Sequence, residues 1–400
     1  MAKVSTDKQG VKRFLSRAVE NVYPSREALG SALESGKRIR VYVGIDPTGP
    51  TLHLGHIIWL RKLAELQRMG HEVIMLIGDF TAMIGDPTDK LATRKQLTRD
   101  EVLANCKVYQ QQASRFLPFD GENPARLLFN SDWLGKMSFA DVVELASHFT
   151  VQQMVERDMF EKRIEDGKPV HLHEFLYPLM QGYDSVAMDV DLEIGGNDQT
   201  FNMLAGRTLL REMKQKEKAV LTLKLLVDST GKKMGKTEGN IIMLTDSPED
   251  MYGKVMSWTD GMIVPGFELC TDVSDDEIKD MRAAMADGEN PMTFKRRLAE
   301  EIVTMLVGGK EALKAAEHFD KVHKAKDVPD EIVEIKAGKK ELLLVDALVT
   351  AKLVTSKTDA RKQIEQGAVK VEGEIIKDVT ATIRVPALIQ KGKRHFARLV

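Results

Sequence analysis

The stretch that most constrains the fold is a strand pattern that runs through a turn into a helix. Residues 38–45 alternate and are rich in β-branched side chains, which predicts a strand. Residues 46–51 hold two prolines and a glycine and cannot continue regular structure. From about Leu52 apolar residues recur at helical spacing, and Gly70 is a natural stop for that helix. A strand that feeds a helix in this way is a building block of parallel sheets.

Similar segments alternate along the first 245 residues. Further strand patterns occupy residues 73–77, 126–129, 190–194 and 219–227, and helix patterns between them include 99–116 and 139–163. This alternation predicts an α/β fold with a Rossmann-like, doubly wound parallel sheet. Ligands of such sheets bind outside the carboxyl ends of the strands. We therefore expect functional residues in the loops after Ile45, Ile77 and Ile194.

The rest of the chain changes character twice. Residues 246–323 are patterned as helices, and the charged segment 324–340 indicates a linker. Residues 341–400 show two short helices, 342–351 and 357–366, and then a hairpin that turns at Glu372-Gly373. The expected order is a catalytic domain (1–245), an α-helical domain (246–323), a linker (324–340) and a small α+β domain (341–400).

Charge is distributed unevenly along the chain. Residues 341–400 hold seven Lys and four Arg against seven acidic residues, a net charge of +4, whereas the preceding 340 residues carry −6. A basic C-terminal segment on an otherwise acidic chain suggests a polyanion partner, although a solvated charged surface would have the same composition. No run approaches 18 apolar residues and the N-terminus lacks a signal-peptide pattern, so no membrane association is expected. Cys106 and Cys270 are far apart and suggest reduced thiols and a cytoplasmic location.

One candidate site is the pair His53 and His56, which follows the first strand. A spacing of three places both imidazoles on one face of a helix's first turn, where free N–H groups and the helix dipole favour anions. Two imidazole donors there could hold phosphates as negative charge builds up. By itself the pair could equally be a core feature, and a zinc site would need further ligands that are absent from the pattern.

A second candidate is the glycine-rich segment around Lys233 and Lys236. Two lysines three residues apart can face one polyphosphate, although a solvated basic loop has the same pattern. The sequence Gly235-Lys236-Thr237 is similar to the end of a P-loop, but that motif requires a glycine where this chain has Thr230. The residues that follow also make a poor helix start, which disfavours the P-loop interpretation.

The two segments together, His-Leu-Gly-His and later Lys-Met-Gly-Lys-Thr, resemble the ATP motifs of class I aminoacyl-tRNA synthetases. The resemblance narrows to bacterial tyrosyl-tRNA synthetases at residues 41–56, 85–88, 177–184 and 195–199. The order and spacing of these motifs match over roughly residues 30–245. The C-terminal unit resembles an S4 RNA-binding domain, as in that family.

The resemblance implies a role for each matching residue. For L-tyrosine it implies that the phenol is held by Tyr42 and Asp184, the amino group by Tyr177, Gln181 and Asp86, and that Gln199 lies near the carboxyl group. For ATP it implies contacts from Gly44, Asp46, Thr48, His53, His56, Gly196 and Asp198. The cations and hydroxyl near pyrophosphate would be Lys90, Arg94, Lys233, Lys236 and Thr237. Candidates for contact with tRNA(Tyr) are Lys352, Lys357, Arg361, Lys362 and Lys370.

The implied reaction is activation of tyrosine by ATP, with Mg²⁺ carried by the phosphates and no metal held by the protein, followed by transfer to tRNA in a homodimer. Taken singly, the carboxylates of Asp86 and Asp184 could be caps and the two tyrosines could be core residues. Residues 193, 200 and 201 are Glu, Thr and Phe where many relatives carry Gln, Trp and Gly, which leaves the surroundings of the carboxyl group open.

Two other functions remain possible on the residues alone. A tryptophanyl relative shares the fold and both ATP motifs, but it lacks an S4 unit and does not need the Tyr42–Asp184 pair. A non-catalytic RNA-binding regulator would be expected to have lost a histidine or lysine of the ATP motifs, and all four are present.

Overall fold

The computed structural model describes residues 3–88, 97–156, 158–228, 234, 241–326, 333–392 and 395–400. The chain divides into two compact units, residues 1–312 and 313–400. This division lies near the predicted start of the linker, and the finer domain boundaries predicted at 245, 323 and 340 stay predictions. Within the described residues, no helix is both long enough and apolar enough to cross a membrane.

The first unit is built on a mostly parallel sheet. Its strands are β1 (Val19–Tyr23), β2 (Arg40–Ile45), β3 (Glu72–Ile77), β4 (Arg126–Phe129), β5 (Leu192–Gly196) and β6 (Ala219–Leu223). They lie in the order β1-β6-β5-β2-β3-β4. The edge strand β1 is antiparallel to β6, and the other neighbours are parallel. The chain leaves β2 towards β3 and later returns to its other side with β5, so the strand order reverses between β2 and β5.

Helices cover the sheet and continue beyond it. They are α1 (Lys8–Ser16), α2 (Arg26–Glu34), α3 (Leu54–Arg68), α4 (Thr81–Ile84), α5 (Arg99–Ala113), α6 (Ser131–Leu134), α7 (Phe139–Ser147), α8 (Val151–Val155), α9 (Asp158–Glu165), α10 (Leu172–Met188), α11 (Thr200–Lys214), α12 (Pro248–Met256), α13 (Ile263–Cys270), α14 (Asp275–Ala286) and α15 (Pro291–Val307). The helix α16 (Gly309–Lys326) crosses the division between the two units. The predicted α/β class and the helical character of residues 246–323 are confirmed.

Most predicted elements have the expected type, and the differences have local causes. The helix predicted over 139–163 is divided into α7, α8 and α9. The division arises because the Thr150 side chain accepts a hydrogen bond from the backbone N–H of Gln153 and thereby starts a new helix. The strand predicted over 219–227 ends at Leu223, and the one predicted over 190–194 runs from Leu192 to Gly196. The edge strand β1 has no counterpart in the sequence-based prediction.

Beyond α16, the described residues of the second unit form short strands and two helices. Its elements are β7 (Val333–Ile335), β8 (Glu341–Leu343), α17 (Leu344–Thr350), α18 (Lys357–Glu365), β9 (Val369–Val371), β10 (Glu374–Ile375), β11 (Thr382–Arg384), β12 (Ala387–Lys391) and β13 (His395–Leu399). One sheet has the order β10-β9-β12-β13-β7, and β11 pairs with β8. Leu348, Ile364 and Ile389 lie in its core.

The structure corrects the sequence interpretation of this unit at two points. Part of the segment predicted as a linker forms β7, which pairs in parallel with β13. The first residues of the helix predicted over 342–351 belong to β8 instead. The hairpin is confirmed, with positive φ angles of 50° and 90° at Glu372 and Gly373 in its turn.

Candidate active site

A cavity of about 740 Å³ lies at the carboxyl ends of β2 and β5, where the strand order reverses. This is the usual ligand position in an open α/β sheet, and the volume is that of a small-molecule site. Most of the residues predicted to bind the amino acid and ATP line it: Gly44, Asp46, Thr48, His53, His56, Asp86, Tyr177, Gln181, Asp184, Gly196, Asp198 and Gln199. The sheet thus gathers residues from four separate segments of the chain.

The histidine pair forms the first turn of α3. His53 is the N-cap residue, and its backbone N–H donates to Nδ1 of His56 over 3.0 Å. The two rings are stacked with centroids 3.6 Å apart. Because Nδ1 of His56 accepts this bond, the neutral ring carries its proton on Nε2. The turn therefore combines an imidazole donor with the positive end of a helix dipole.

The chain that follows the lysine motif is attached to this turn. The backbone N–H of Leu54 donates to the carbonyl of Ile242 over 2.8 Å, and the N–H of Leu244 donates to the carbonyl of Leu52 over 3.0 Å. Met234, within the motif, is buried in the cavity wall. These bonds bring the chain after the motif to the cavity, and residues 224–227, before the motif, line the cavity as well. The key residues of the motif, Lys233, Lys236 and Thr237, lie outside the described part of the chain, as do Lys90 and Arg94.

Three predicted residues of α10 share one helix face. Tyr177, Gln181 and Asp184 are spaced by four and then three residues, so their side chains point to the same side, which is the cavity. The hydroxyl of Tyr177 donates to Oδ2 of Asp46 over 2.9 Å. Burial, reinforced by the nearby carboxylate of Asp46, raises the pKa of Tyr177 well above its ordinary value, so the phenol keeps its proton.

Asp184 has two donors within the protein. Nε1 of Trp133 donates to Oδ1 over 2.7 Å, and Nδ2 of Asn130 donates to Oδ2 over 3.3 Å. Burial raises the pKa of Asp184 well above its ordinary value, and the two donated bonds oppose this effect. A carboxylate in this position has a defined orientation and can accept a further bond from a ligand.

A second carboxylate that lines the cavity, that of Asp86, is oriented by two hydrogen bonds. Oδ1 of Asp86 accepts from the backbone N–H of Thr88 over 2.9 Å, and Oδ2 accepts from Nε2 of Gln199 over 2.7 Å. Oε1 of Gln199 accepts in turn from Nδ2 of Asn202 over 3.0 Å. These bonds determine which end of the Gln199 amide is oxygen, and they connect the loop after β3 with the loop after β5.

Tyr42 differs from the other predicted tyrosine ligands because it is fully buried beside the cavity. Its hydroxyl lies 3.0 Å from Oγ of Ser185. Burial, with the carboxylates of Glu193 and Asp184, raises the pKa of Tyr42 well above its ordinary value. Tyr42 is therefore a neutral phenol with one proton to donate.

The residues predicted to contact RNA lie in the second unit. Lys352, Lys357, Arg361 and Lys362 are exposed, and Lys370 on β9 is half-buried. Lys357 pairs with Asp346 over 2.6 Å. Arg361 and Lys362 are adjacent on α18.

Several residues of the site are missing from the sequence-based prediction. Asn130 directly follows β4, so the rule that ligands bind after strand ends could have identified it. Trp133, three residues later, donates to Asp184 without any pattern that signals it. Lys218 lies in a lysine-rich segment that is typical of a surface, yet it is fully buried.

The described residues contain no group of three or more His, Cys, Asp or Glu side chains placed to hold a metal ion. Cys106 and Cys270 are free thiols, the first half-buried and the second buried. The polar groups that line the cavity are hydrogen-bond donors, carboxylates and imidazoles, which suit a zwitterionic ligand next to a polyphosphate.

Comparison with known proteins places the chain in a class. The family described as "tRNA synthetases class I (W and Y)" matches residues 34–324. The family described as "Tyrosine--tRNA ligase SYY-like C-terminal domain" matches residues 321–398. The chain is thus a class I aminoacyl-tRNA synthetase of the group that contains the tryptophan and tyrosine enzymes.

Individual relatives narrow the assignment. The chain is 44% identical to the tyrosine–tRNA ligase of Moorella thermoacetica over 394 residues, which is 97% of this chain and 95% of that protein. It is also 42% identical to the tyrosine–tRNA ligase of Symbiobacterium thermophilum over 411 aligned positions, covering 100% and 99% of the two chains. The chain belongs to the tyrosine–tRNA ligase family.

Solved structures agree with the fold. A C-terminally truncated mitochondrial tyrosyl-tRNA synthetase from Coccidioides posadasii superposes with a TM-score of 0.63 at 26% identity, covering 77% of this chain and 91% of that one. The tyrosyl-tRNA synthetase of Archaeoglobus fulgidus, solved with L-tyrosine, has a TM-score of 0.61 at 23% identity and shares the fold.

Proposed function

We propose that this chain is a tyrosine–tRNA ligase. An oxygen of the tyrosine carboxylate attacks the α-phosphorus of ATP, and pyrophosphate leaves with the bonding electrons. A ribose hydroxyl at the 3′-terminal adenosine of tRNA(Tyr) then attacks the carbonyl carbon of tyrosyl-adenylate, and AMP leaves. The observation that carries the proposal is the convergence of the histidine turn with Asp184 and Tyr177 on one cavity, in a chain of this family. The cytoplasmic location expected from the sequence is part of the proposal.

The ATP half of the cavity acts by positioning and by charge stabilisation. Thr48, His53 and His56 contact the phosphates, and the N–H groups of the first turn of α3 favour the negative charge that develops there. Gly44 and Asp46 line the nucleotide site. The ribose is held by Gly196 and Asp198, which follow β5.

Magnesium enters as part of the substrate MgATP and is held largely by phosphate oxygens. Lys233, Lys236 and Thr237 act on pyrophosphate, with Lys90 and Arg94 as further cations. These five residues lie outside the described part of the chain, so their role rests on the sequence motif and on the anchoring of the chain beside it.

The tyrosine half of the cavity is polar at both ends. At one end Asp184 accepts a hydrogen bond from the hydroxyl of the substrate phenol, and Tyr42 lies beside it. At the other end Asp86, Tyr177 and Gln181 bind the ammonium group, with charge-assisted bonds to the carboxylate. Gln199 is oriented by its bond to Asp86 and lies near the reacting carboxyl group. A substrate without a phenol hydroxyl offers Asp184 no donor beyond Trp133 and Asn130, and the lost hydrogen bond inside a buried site is costly.

The second unit binds tRNA(Tyr) through its basic residues. Lys352, Lys357, Arg361 and Lys362 are exposed, and Lys370 extends the set onto β9. Support comes from the net charge of +4 on residues 341–400, because phosphate contacts by Lys and Arg dominate affinity for RNA.

The protein acts as a homodimer in this proposal. Large apolar side chains are exposed on and near α7 and α10, and Phe139 and Leu172 are each 83% exposed. They lie next in sequence to the lining of an apolar pocket formed by residues such as Val142, Leu145 and Leu176. Exposed apolar surface of this kind is typical of a protein interface.

The reaction is tested by amino-acid-dependent exchange between ATP and labelled pyrophosphate. Exchange that requires tyrosine, with tryptophan and phenylalanine at least 100-fold weaker in kcat/KM, is the expected result. A Lys236→Ala variant serves as the inactive control. Absence of exchange with tyrosine, or equal exchange with tryptophan, would refute the proposal.

A further inference from the structure

A buried cluster of charged and polar groups lies beside the cavity and has no place in the reaction above. Lys218, one residue before β6, is fully buried and forms an ion pair with Glu193 of β5, itself 2% exposed. Nζ of Lys218 also donates to Oγ of Ser185 over 2.8 Å. Oε1 of Glu193 accepts from Nε2 of Gln181 over 3.1 Å. The cluster therefore contacts α10 at two positions of the helix that carries the tyrosine site.

Space for the cluster is left by a glycine on the neighbouring helix. A Cβ at Gly206, on α11, would lie 2.6 Å from Nζ of Lys218 and 2.7 Å from Oγ of Ser185. Both distances are too short for real atoms, so any side chain at position 206 would displace the ammonium or the hydroxyl. Glycine inside a helix costs about 1 kcal/mol relative to alanine. Its presence here is explained by the room that the ammonium and the hydroxyl require.

The hydrogen bonds of the cluster have a direction. Lys218 can only donate, so Ser185 accepts from it and has its own proton left to give. The hydroxyl of Tyr42 lies 3.0 Å from Oγ of Ser185, whereas Oε2 of Glu193 lies 3.4 Å away, beyond the usual O–H···O range. Ser185 consequently donates to Tyr42. The phenolic proton of Tyr42 is then left for a second acceptor, and the carboxylate of Glu193, whose hydrogen bond contributes to the raised pKa of Tyr42, competes for it with a bound ligand.

We propose that Lys218 is a positioning residue for substrate selection, which acts through Ser185 to make Tyr42 a hydrogen-bond donor to the phenol oxygen of the bound tyrosine. In this chain of hydrogen bonds Lys218 donates to Ser185, Ser185 donates to Tyr42, and Tyr42 donates to the substrate hydroxyl. The substrate hydroxyl in turn donates a hydrogen bond to Asp184. Each bond in such a chain polarises the next. Glu193 balances the buried charge of Lys218 and holds Gln181 in place.

This inference rests on the proposed function and deepens it, since it explains which partner of the substrate hydroxyl donates and which accepts. It also gives a role to Glu193, whose effect the sequence left open. A purely structural ion pair would affect all ligands of the cavity alike. A donor chain directed at the phenol affects only ligands that carry the hydroxyl.

The test compares ligands with and without the hydroxyl in full-length variants. Ser185→Ala breaks the donor chain without changing any charge, and the double variant Lys218→Met/Glu193→Gln removes its cation while keeping the site neutral. Pyrophosphate exchange gives the KM values for tyrosine and ATP, and competition by phenylalanine gives its Ki. We expect the tyrosine KM to rise about tenfold in both variants, with the ATP KM and the phenylalanine Ki within twofold of the unmodified protein.

Lys216→Met is the matched control, because Lys216 precedes the same strand and pairs with Asp191 at a half-exposed position. It is expected to leave all three constants unchanged. An unchanged tyrosine KM in Ser185→Ala, or an equal rise in tyrosine KM and phenylalanine Ki, would overturn the inference. If the double variant does not fold, Ser185→Ala decides the matter. Failure of the unmodified protein to exchange with tyrosine would instead refute the proposed function.

Discussion

Replacement of Asp184 by asparagine changes one atom at the centre of the tyrosine site. In the native cavity both carboxylate oxygens accept, Oδ1 from Trp133 and Oδ2 from Asn130. An amide can keep the shorter bond to Trp133 through its oxygen, but its NH₂ group then faces the NH₂ group of Asn130. Asn130 cannot turn to adapt, because its own oxygen accepts from the backbone N–H of Phe80 and its nitrogen also donates to Thr81.

The size of the effect follows from these contacts. A buried donor without an acceptor costs about 1–3 kcal/mol, and the bond lost here is the longer one, 3.3 Å. The substrate hydroxyl loses its carboxylate acceptor as well, and a bond to a charged acceptor contributes about 1.5–3 kcal/mol. At about 1.4 kcal/mol per factor of ten, the tyrosine KM should rise roughly 10- to 100-fold.

Pyrophosphate exchange measures the KM values for tyrosine and ATP in Asp184→Asn, and urea unfolding measures the free energy of unfolding. Asp189→Asn is the control, since Asp189 caps the same helix α10 at a half-exposed position and pairs with Lys216 over 3.4 Å. We expect a higher tyrosine KM, an unchanged ATP KM and no effect of the control. A tyrosine KM within twofold of the native value, or a parallel rise in the ATP KM, would refute the assignment of Asp184 to the phenol.

Four further outcomes are expected. His56→Ala should lower kcat for exchange about 100-fold while leaving tyrosine binding by calorimetry unchanged, and an unaltered kcat would contradict its role at the phosphates. Arg361→Ala/Lys362→Ala should raise the tRNA KM about tenfold in aminoacylation without affecting exchange; an equal loss of exchange would argue against separate roles for the two units. Phe139→Glu should shift sedimentation towards a monomer, and an unchanged sedimentation coefficient would place the dimer contact elsewhere. Burial lowers the pKa of His71 from an ordinary 6.5 to about 4. As the pH is lowered, the unfolded chain therefore binds a proton before the folded chain does, and the free energy of unfolding decreases between pH 6.5 and pH 4. For a pKa of 6.5 in the unfolded chain and about 4 in the folded chain the fall is about 3 kcal/mol. His71→Gln should remove most of it in urea unfolding, and an identical pH dependence would show that another group is responsible.

Local sequence patterns were sufficient for much of the fold. Helix α3 begins at the predicted turn and ends before Gly70, and α18 begins after Ser356, whose side chain accepts from the N–H of Asp359. Caps, turn residues and apolar periodicity act over a few neighbouring positions, so they can be recognised without knowing the rest of the structure. The same patterns failed where the signal was weak, as in the division of residues 139–163 at Thr150.

Part of the candidate site could be predicted from the sequence for the same reason. The loops after Ile45 and Ile77 could be placed together because parallel strands end at one edge of the sheet. Asn130 follows the neighbouring strand and obeys the same rule. Lys218 obeys no such rule, because its composition and neighbours are those of a solvated segment.

The sequence by itself determined the parallel strands of the sheet, most helix starts and most of the residues that line the cavity. Only the tertiary structure decided how those residues are oriented, because the deciding bonds join distant positions. The hydroxyl of Tyr177 reaches Asp46 across 131 positions, and that of Tyr42 meets Ser185 across 143. The burial of Lys218 depends on Glu193 and on the gap at Gly206, so its charge is placed by packing between elements, which no local pattern encodes.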